Sequence, residues 1–245
     1  MSTDILTLPP PPAARRLAYG KEPAQFIDFR FPANKQAPAL AVMIHGEFWR
    51  ARYDLLHAGH LCAALTAAGV VTANVEYRRV GDPGGGWPGS YDDILTALRL
   101  ARHETGAKRT VVLGHSAGGH LALRAAAEEP SLKGVVALAP VANLQKAADL
   151  HLSNDAVKEF LGGSIEHLTE ACAMLHGATV PRVLVHGRQD ANVPPELSRD
   201  YAKARAKDPG GVELIEVDDC DHFDLIDPRS TAWGVVLSRA LSLSL

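Results

Sequence analysis

Short continuous apolar runs alternate along the chain with stretches whose apolar residues recur three or four positions apart. Ala39–His45, Thr110–Leu113 and Gly134–Ala139 are unbroken runs and predict strands buried on both faces. Val70–Tyr77, Arg182–His186 and Val212–Val217 predict further strands. Gln25–Phe31 alternates apolar with polar residues, as an antiparallel strand with one solvated face does, and Pro38 breaks the chain after it. Between the strands lie helical stripes. Ala58, Leu61, Cys62, Leu65 and Ala68 form one, closed by Gly69. Tyr91, Ile94, Leu95 and Leu98 form a second, with Ser90 or Asp92 near its start, and Leu121, Ala122, Ala125 and Ala126 a third. Helices are also predicted from Pro195 to Lys207 and from Pro228 to Leu243. From Val141 to Pro181 the periodicity is weaker, with helical pieces around Ala156–Leu161 and Ile165–Leu175. Gly81–Gly89 is a glycine-rich loop that carries Trp87.

Strands alternating with helices through short connections predict an α/β fold: a mostly parallel central sheet with helices on both faces. Residues 1–20, with the proline run Pro9–Pro12, read as an extended and mobile N-terminal arm, and residues 21–245 as a single domain. In such a sheet the functional site lies at the carboxyl ends of the strands.

Composition narrows the classes. Hydrophobic residues make up 47% and charged residues 22% of the 245 positions, and the formal net charge is −3. With no basic block, a nucleic-acid partner is not expected. No apolar run is long enough to cross a bilayer and no basic-then-apolar leader opens the chain, so a cytoplasmic protein with no membrane partner is expected. Cys62, Cys172 and Cys220 are odd in number and widely spaced, which predicts neither a disulfide framework nor a zinc site. No cofactor and no metal are expected, and a homodimer is left open.

The chemistry centres on Gly114-His115-Ser116-Ala117-Gly118, which stands between the Thr110–Leu113 strand and the following helix. Gly-x-Ser-x-Gly in that context is a nucleophile elbow. Its sharp turn lifts the serine hydroxyl off the sheet and leaves no room for side chains two residues away. It also aims the Ala117 N–H, at a helix start, toward an incoming carbonyl oxygen. A serine nucleophile needs a base and an acid to orient the base. Of the 11 histidines, His222 follows the last predicted strand and so falls on the elbow's side of the sheet. Asp190 follows the Arg182–His186 strand and is the acid; Asp221, adjacent to His222, is the weaker rival. His45 and His186 end strands but each precedes a glycine turn, which favours a packing or hydrogen-bonding role.

The ordered set of His45-Gly46, Gly114-His115-Ser116-Ala117-Gly118, Asp190 and His222 resembles the α/β-hydrolase superfamily over essentially the whole chain after the proline run. With Phe48-Trp49 and His222-Phe223-Asp224 it looks like the esterase and kynurenine-formamidase branch. The resemblance implies an α/β-hydrolase fold with a small or absent cap. It implies a serine hydrolase that cleaves a small ester through an acyl-enzyme on Ser116, or alternatively an aryl formamide such as N-formylkynurenine. It also implies a second oxyanion N–H from Glu47 or Phe48, beside that of Ala117. Glu47 departs from the glycine usual in that branch, and its carboxylate is expected to turn away from Ser116, toward Arg50 or Arg52. Trp49, Trp87, Val141 and Leu144 are expected to wall the substrate pocket. A different class, a low-turnover binding or receptor module on the same fold, has Glu47 as its one supporting feature.

Overall fold

The computed structural model describes residues 3–33 and 39–244, so Pro38 lies outside the described residues. Its strands are β1 (Arg15–Ala18), β2 (Phe26–Arg30), β3 (Ala39–Ile44), β4 (Val71–Val75), β5 (Arg109–His115), β6 (Gly134–Leu138), β7 (Arg182–Gly187) and β8 (Val212–Val217). They form one sheet in the order β1-β2-β4-β3-β5-β6-β7-β8. β1, β2 and β4 pair antiparallel, and every pair from β4 through β8 is parallel.

The unbroken apolar runs are explained by two cores, one on each face. Val42, Val112, Val135 and Ala137 turn to a core completed by α2 (Gly89–Thr105), α3 (Ala117–Glu128) and α7 (Glu196–Ala204). Their neighbours Ala41, Met43, Val111, Leu113, Val136 and Leu138 turn to a second core with α1 (Gly59–Ala67) and α8 (Trp233–Ser244). Alternation along a strand therefore separates the two cores rather than core from solvent.

Three expectations change. β2 has no solvated face: Asp28 and Arg30 are buried, because the N-terminal segment lies over them. The Arg30 guanidinium donates to the Pro11 carbonyl at 2.8 Å, and Arg16 grips Asp28 through two bonds of 2.7 and 2.8 Å. Residues 1–20 are, in their described part, not a mobile arm. Ile5 is buried in the second core and β1 pairs along its whole length with β2. The weak segment holds three short helices, α4 (Leu144–Asp149), α5 (Leu152–Phe160) and α6 (Leu168–Ala171). Its periodicity is blurred because His151, Ser153, Asn154 and Asp155 are left-handed, with φ between 50° and 59°. Among the described residues no helix is long and apolar enough to cross a membrane.

Candidate active site

The elbow has the backbone its sequence predicts. Ser116 stands at φ 55°, ψ −117°, between the last residue of β5 and the first of α3. Its N–H donates to Leu138 O on β6 at 2.8 Å, and its carbonyl accepts from His120 at 3.1 Å and Val141 at 3.2 Å, so neighbouring elements hold the strained turn. Two glycines make it fit. A Cβ on Gly118 would sit 2.2 Å from Ile44 O and 2.3 Å from His45 O, and one on Gly46 would sit 2.7 Å from the Ser116 Cβ. The first contact is with backbone that cannot step aside. Gly118→Ala is expected to lower stability by about 1–3 kcal/mol or more, the cost of overpacking, read as a fall in thermal midpoint. An unchanged midpoint would show that the β3 end is free to move.

The structure brings Asp190 and His222 together. His222 Nδ1 donates to Asp190 Oδ2 at 2.6 Å, and both side chains are buried. The other carboxylate oxygen, Oδ1, accepts the N–H groups of Asn192 and Val193, each at 2.8 Å. Burial works to raise the Asp190 pKa. Hydrogen bonds from His186 and His222, the His222 charge and the Val193 N–H outweigh it and hold the carboxyl well below its usual range. A proton on His222 Nδ1 leaves Nε2 as the basic nitrogen. Asp221, the rival acid, does something else. Its Oδ1 accepts the N–H groups of Phe223 and Asp224 at 2.9 and 3.0 Å, closing the loop that carries His222.

His115 is placed beside the base rather than the hydroxyl. Its Nε2–H donates to the His222 carbonyl at 3.0 Å, and the two rings lie 4.5 Å apart. Burial, then the neighbouring His222 and His57, push its pKa well down, so the ring is neutral. Ser116 Oγ is buried and has no hydrogen-bond partner. Ala117, as the first residue of α3, has an N–H with no intrahelical acceptor, available to an oxyanion.

The loop after β3 carries the greatest departure from an ordinary backbone. Glu47, Phe48 and Trp49 are all left-handed, at φ 78°, 52° and 58°. A buried polar network anchors its start. His45 Nε2 donates to Glu76 Oε1 at 3.0 Å, Glu76 Oε2 accepts the Leu55 N–H at 2.9 Å, and Tyr77 Oη donates to His45 O at 3.1 Å. Burial would raise the Glu76 pKa, but His45, Arg79 and the Leu55 N–H hold it below its usual range, so it is ionised. Glu76 follows β4 within an apolar run that hides it in the sequence, and a carboxylate at the carboxyl end of a buried strand is its one local signal.

Arg50 does not pair with Glu47. It bonds Glu159 at 2.8 Å, Ser153 Oγ at 2.9 Å and Asn154 O at 3.1 Å, fastening the loop to α5. Among the described residues Glu47 has no ion pair. It is half-buried, and burial raises its pKa against the fields of His222, His45 and Arg52. A carboxyl with a raised folded pKa leaves stability intact at low pH and diminishes it as pH rises through that value. Glu47→Gln keeps the same backbone and is expected to raise the thermal midpoint at neutral pH and not below the usual carboxylate range. An equal change at both would contradict the assignment.

The four expected pocket residues all join the first core. Trp49 is fully buried, stacked 4.4 Å from Phe160 and edge-on to His120 at 5.3 Å. Trp87 is half-buried, 5.2 Å from Tyr91 and 6.1 Å from Phe160. Val141, tied to the Ser116 carbonyl, and Leu144, the first residue of α4, are fully buried. Trp49 thus takes the packing role rather than presenting a bare wall. Among the described residues no group of three or more His, Cys, Asp or Glu is placed to hold a metal ion. Cys220 is buried beside Thr231 with its thiol pKa raised by burial, the opposite of an activated nucleophile.

A family model described as BD-FAE matches residues 27–204, most of the chain and all of the sheet from β3 to β7. The chain belongs to the BD-FAE family. No curated protein matches it in sequence. The BD-FAE chain is similar in structure to a truncated carbohydrate esterase from gut microbiota, with a TM-score of 0.82 at 16% identity over 97% of this chain and 99% of that one. It is similar to esterase B of Lactobacillus rhamnosis (0.80, 18%, 95% and 87%) and to esterase Est2 of Thermogutta terrifontis with propionate bound (0.75, 20%, 94% and 93%). These likenesses establish the α/β-hydrolase fold for this BD-FAE chain. These three neighbours are esterases by name, and none of the three is named a kynurenine formamidase.

Proposed function

We propose that the protein is a serine carboxylesterase acting on a small ester. The 2.6 Å bond from His222 Nδ1 to Asp190 Oδ2, at the same end of the sheet as the strained Ser116 turn, carries the reading. Ser116 Oγ attacks the ester carbonyl while His222 Nε2 takes its proton. Asp190 holds the imidazole in the tautomer that leaves Nε2 basic and stabilises the cation that forms. The Ala117 N–H and one from the Glu47–Phe48 turn receive the oxyanion. Collapse expels the alcohol, protonated by His222, and leaves the acyl group on Ser116. Water, deprotonated by the same histidine, releases the acid.

Support for the ester comes from the neighbours: a carbohydrate esterase, Est2 structures with propionate or butyrate bound, and esterase B inhibited by a tributyrin phosphonate. The test is turnover of short-chain nitrophenyl esters beside N-formylkynurenine, with mass spectrometry of the phosphonate-treated protein. Ester turnover with the adduct on Ser116 is expected. Faster formamide cleavage would replace the substrate class, and no adduct with no turnover would favour a binding module.

A further inference from the structure

We propose that His186 is a positioning residue for the catalytic acid: its Nε2–H, bonded to Val193 O, stands against the same Asp190 oxygen that accepts the hydrogen bond from His222 Nδ1. The inference rests on the serine-esterase reading. His186 is fully buried and is the last residue but one of β7, four residues before Asp190. Its Nε2 lies 2.9 Å from Val193 O and 3.3 Å from Asp190 Oδ2, and its Nδ1 lies 2.7 Å from Ser198 Oγ on α7. A carbonyl only accepts, so Nε2 carries the proton and donates it to Val193 O, with Asp190 Oδ2 3.3 Å from the same nitrogen. Nδ1 is then the acceptor of the Ser198 hydroxyl, and α7 fixes the tautomer. Val193 closes the arrangement, accepting from His186 through its carbonyl and donating its N–H to Asp190 Oδ1. Asp190 therefore receives donors on both oxygens, and Oδ2 sits between two imidazoles.

Two consequences separate this role from simple packing. The carboxylate cannot rotate away from His222 without leaving His186. Part of its charge is also shared with His186, which moderates how strongly it favours the His222 cation. Removing the donor concentrates that charge on Oδ2, so the His222 cation becomes more favourable and its titration moves to higher pH. The other groups that act on His222 are His115 from β5, His57 from the turn before α1 and Glu47 from the loop after β3, with Asp221 adjacent in sequence. None of them is altered in the variants below.

The test compares His186→Leu, which removes the donor, with His186→Gln, whose amide N–H reaches the Nε2 position. In the leucine variant kcat/KM should fall about tenfold to a hundredfold, the range for a hydrogen bond to a charged group. KM should change little, and the acid limb of the kcat/KM profile should move to higher pH. The glutamine variant should recover most of the rate and the original limb. His222 titration followed by NMR reads the same shift without substrate, so it decides the matter even if ester turnover is absent and the esterase reading fails. Ser198→Ala, which keeps the ring and frees Nδ1, should shift His222 in the same direction by a smaller amount and serves if the leucine variant does not fold. An unshifted His222 titration, or glutamine no better than leucine, overturns the proposal.

Discussion

Ser116→Ala is expected to lower kcat/KM for a nitrophenyl ester by about 10⁴-fold or more, the usual loss on removing a triad member. The thermal midpoint should stay unchanged or rise. The reason lies in what the hydroxyl does in the folded chain: it has no hydrogen-bond partner, although it is buried. A buried hydroxyl without a partner is a cost of about 1–3 kcal/mol, so its removal relieves the fold rather than orphaning a neighbour. The backbone strain at φ 55° remains, because alanine has the same Cβ. Initial rates and a thermal melt on the same preparation check both halves. Activity within about tenfold of wild type would remove Ser116 from the mechanism. Lost activity with a lowered midpoint would assign the hydroxyl a structural role.

Asp190→Asn should come second, with a loss on the order of 10³–10⁴ in kcat. Asp190 Oδ1 accepts two backbone N–H groups, so the asparagine oxygen stays there and its NH₂ takes the Oδ2 place. That amide faces the Nδ1 of His222, which must then accept. The imidazole proton moves to Nε2, and the nitrogen meant to receive the serine proton already carries one. Asp221→Asn is the control. Asp221 accepts two backbone N–H groups on a single oxygen, which asparagine supplies equally well. Its kcat should stay within about threefold of wild type. If Asp221→Asn is the more damaging, the acid is misassigned.

The parts of this site that the sequence disclosed share one property: each is marked by local backbone chemistry. Gly114, Ser116 and Gly118 announce a strained turn whatever surrounds them, and strand ends located Asp190 and His222 on one side of the sheet. What escaped depends on which distant side chains meet. Arg50 could be paired with Glu47 on paper because they are close in sequence, yet it reaches across to Ser153, Asn154 and Glu159. β2 looked half-solvated because nothing in its own alternation records that Pro11 bonds Arg30 and Arg16 bonds Asp28. The left-handed run from His151 to Asp155 contains no glycine, so neither periodicity nor turn chemistry marked it.

The strand order also bears on how the chain reaches this structure. β3 and β5 form the centre of the sheet, and Ala39 pairs with Arg109 across the whole of α1, β4 and α2. Ser116 follows β5 directly, so the elbow cannot be braced until that long loop closes. Leu138 and Val141, which bond it, arrive later still along the chain. Loop-closure entropy comes before the contacts that compensate for it, which makes such parallel pairing slow. During synthesis the β3–β4 edge emerges well before β5 can cover it, and an uncovered apolar strand is where chains associate wrongly. The Ser116 turn thus acquires its neighbours only after these long-range pairings form, and recovery of activity on refolding should trail the recovery of helical circular dichroism.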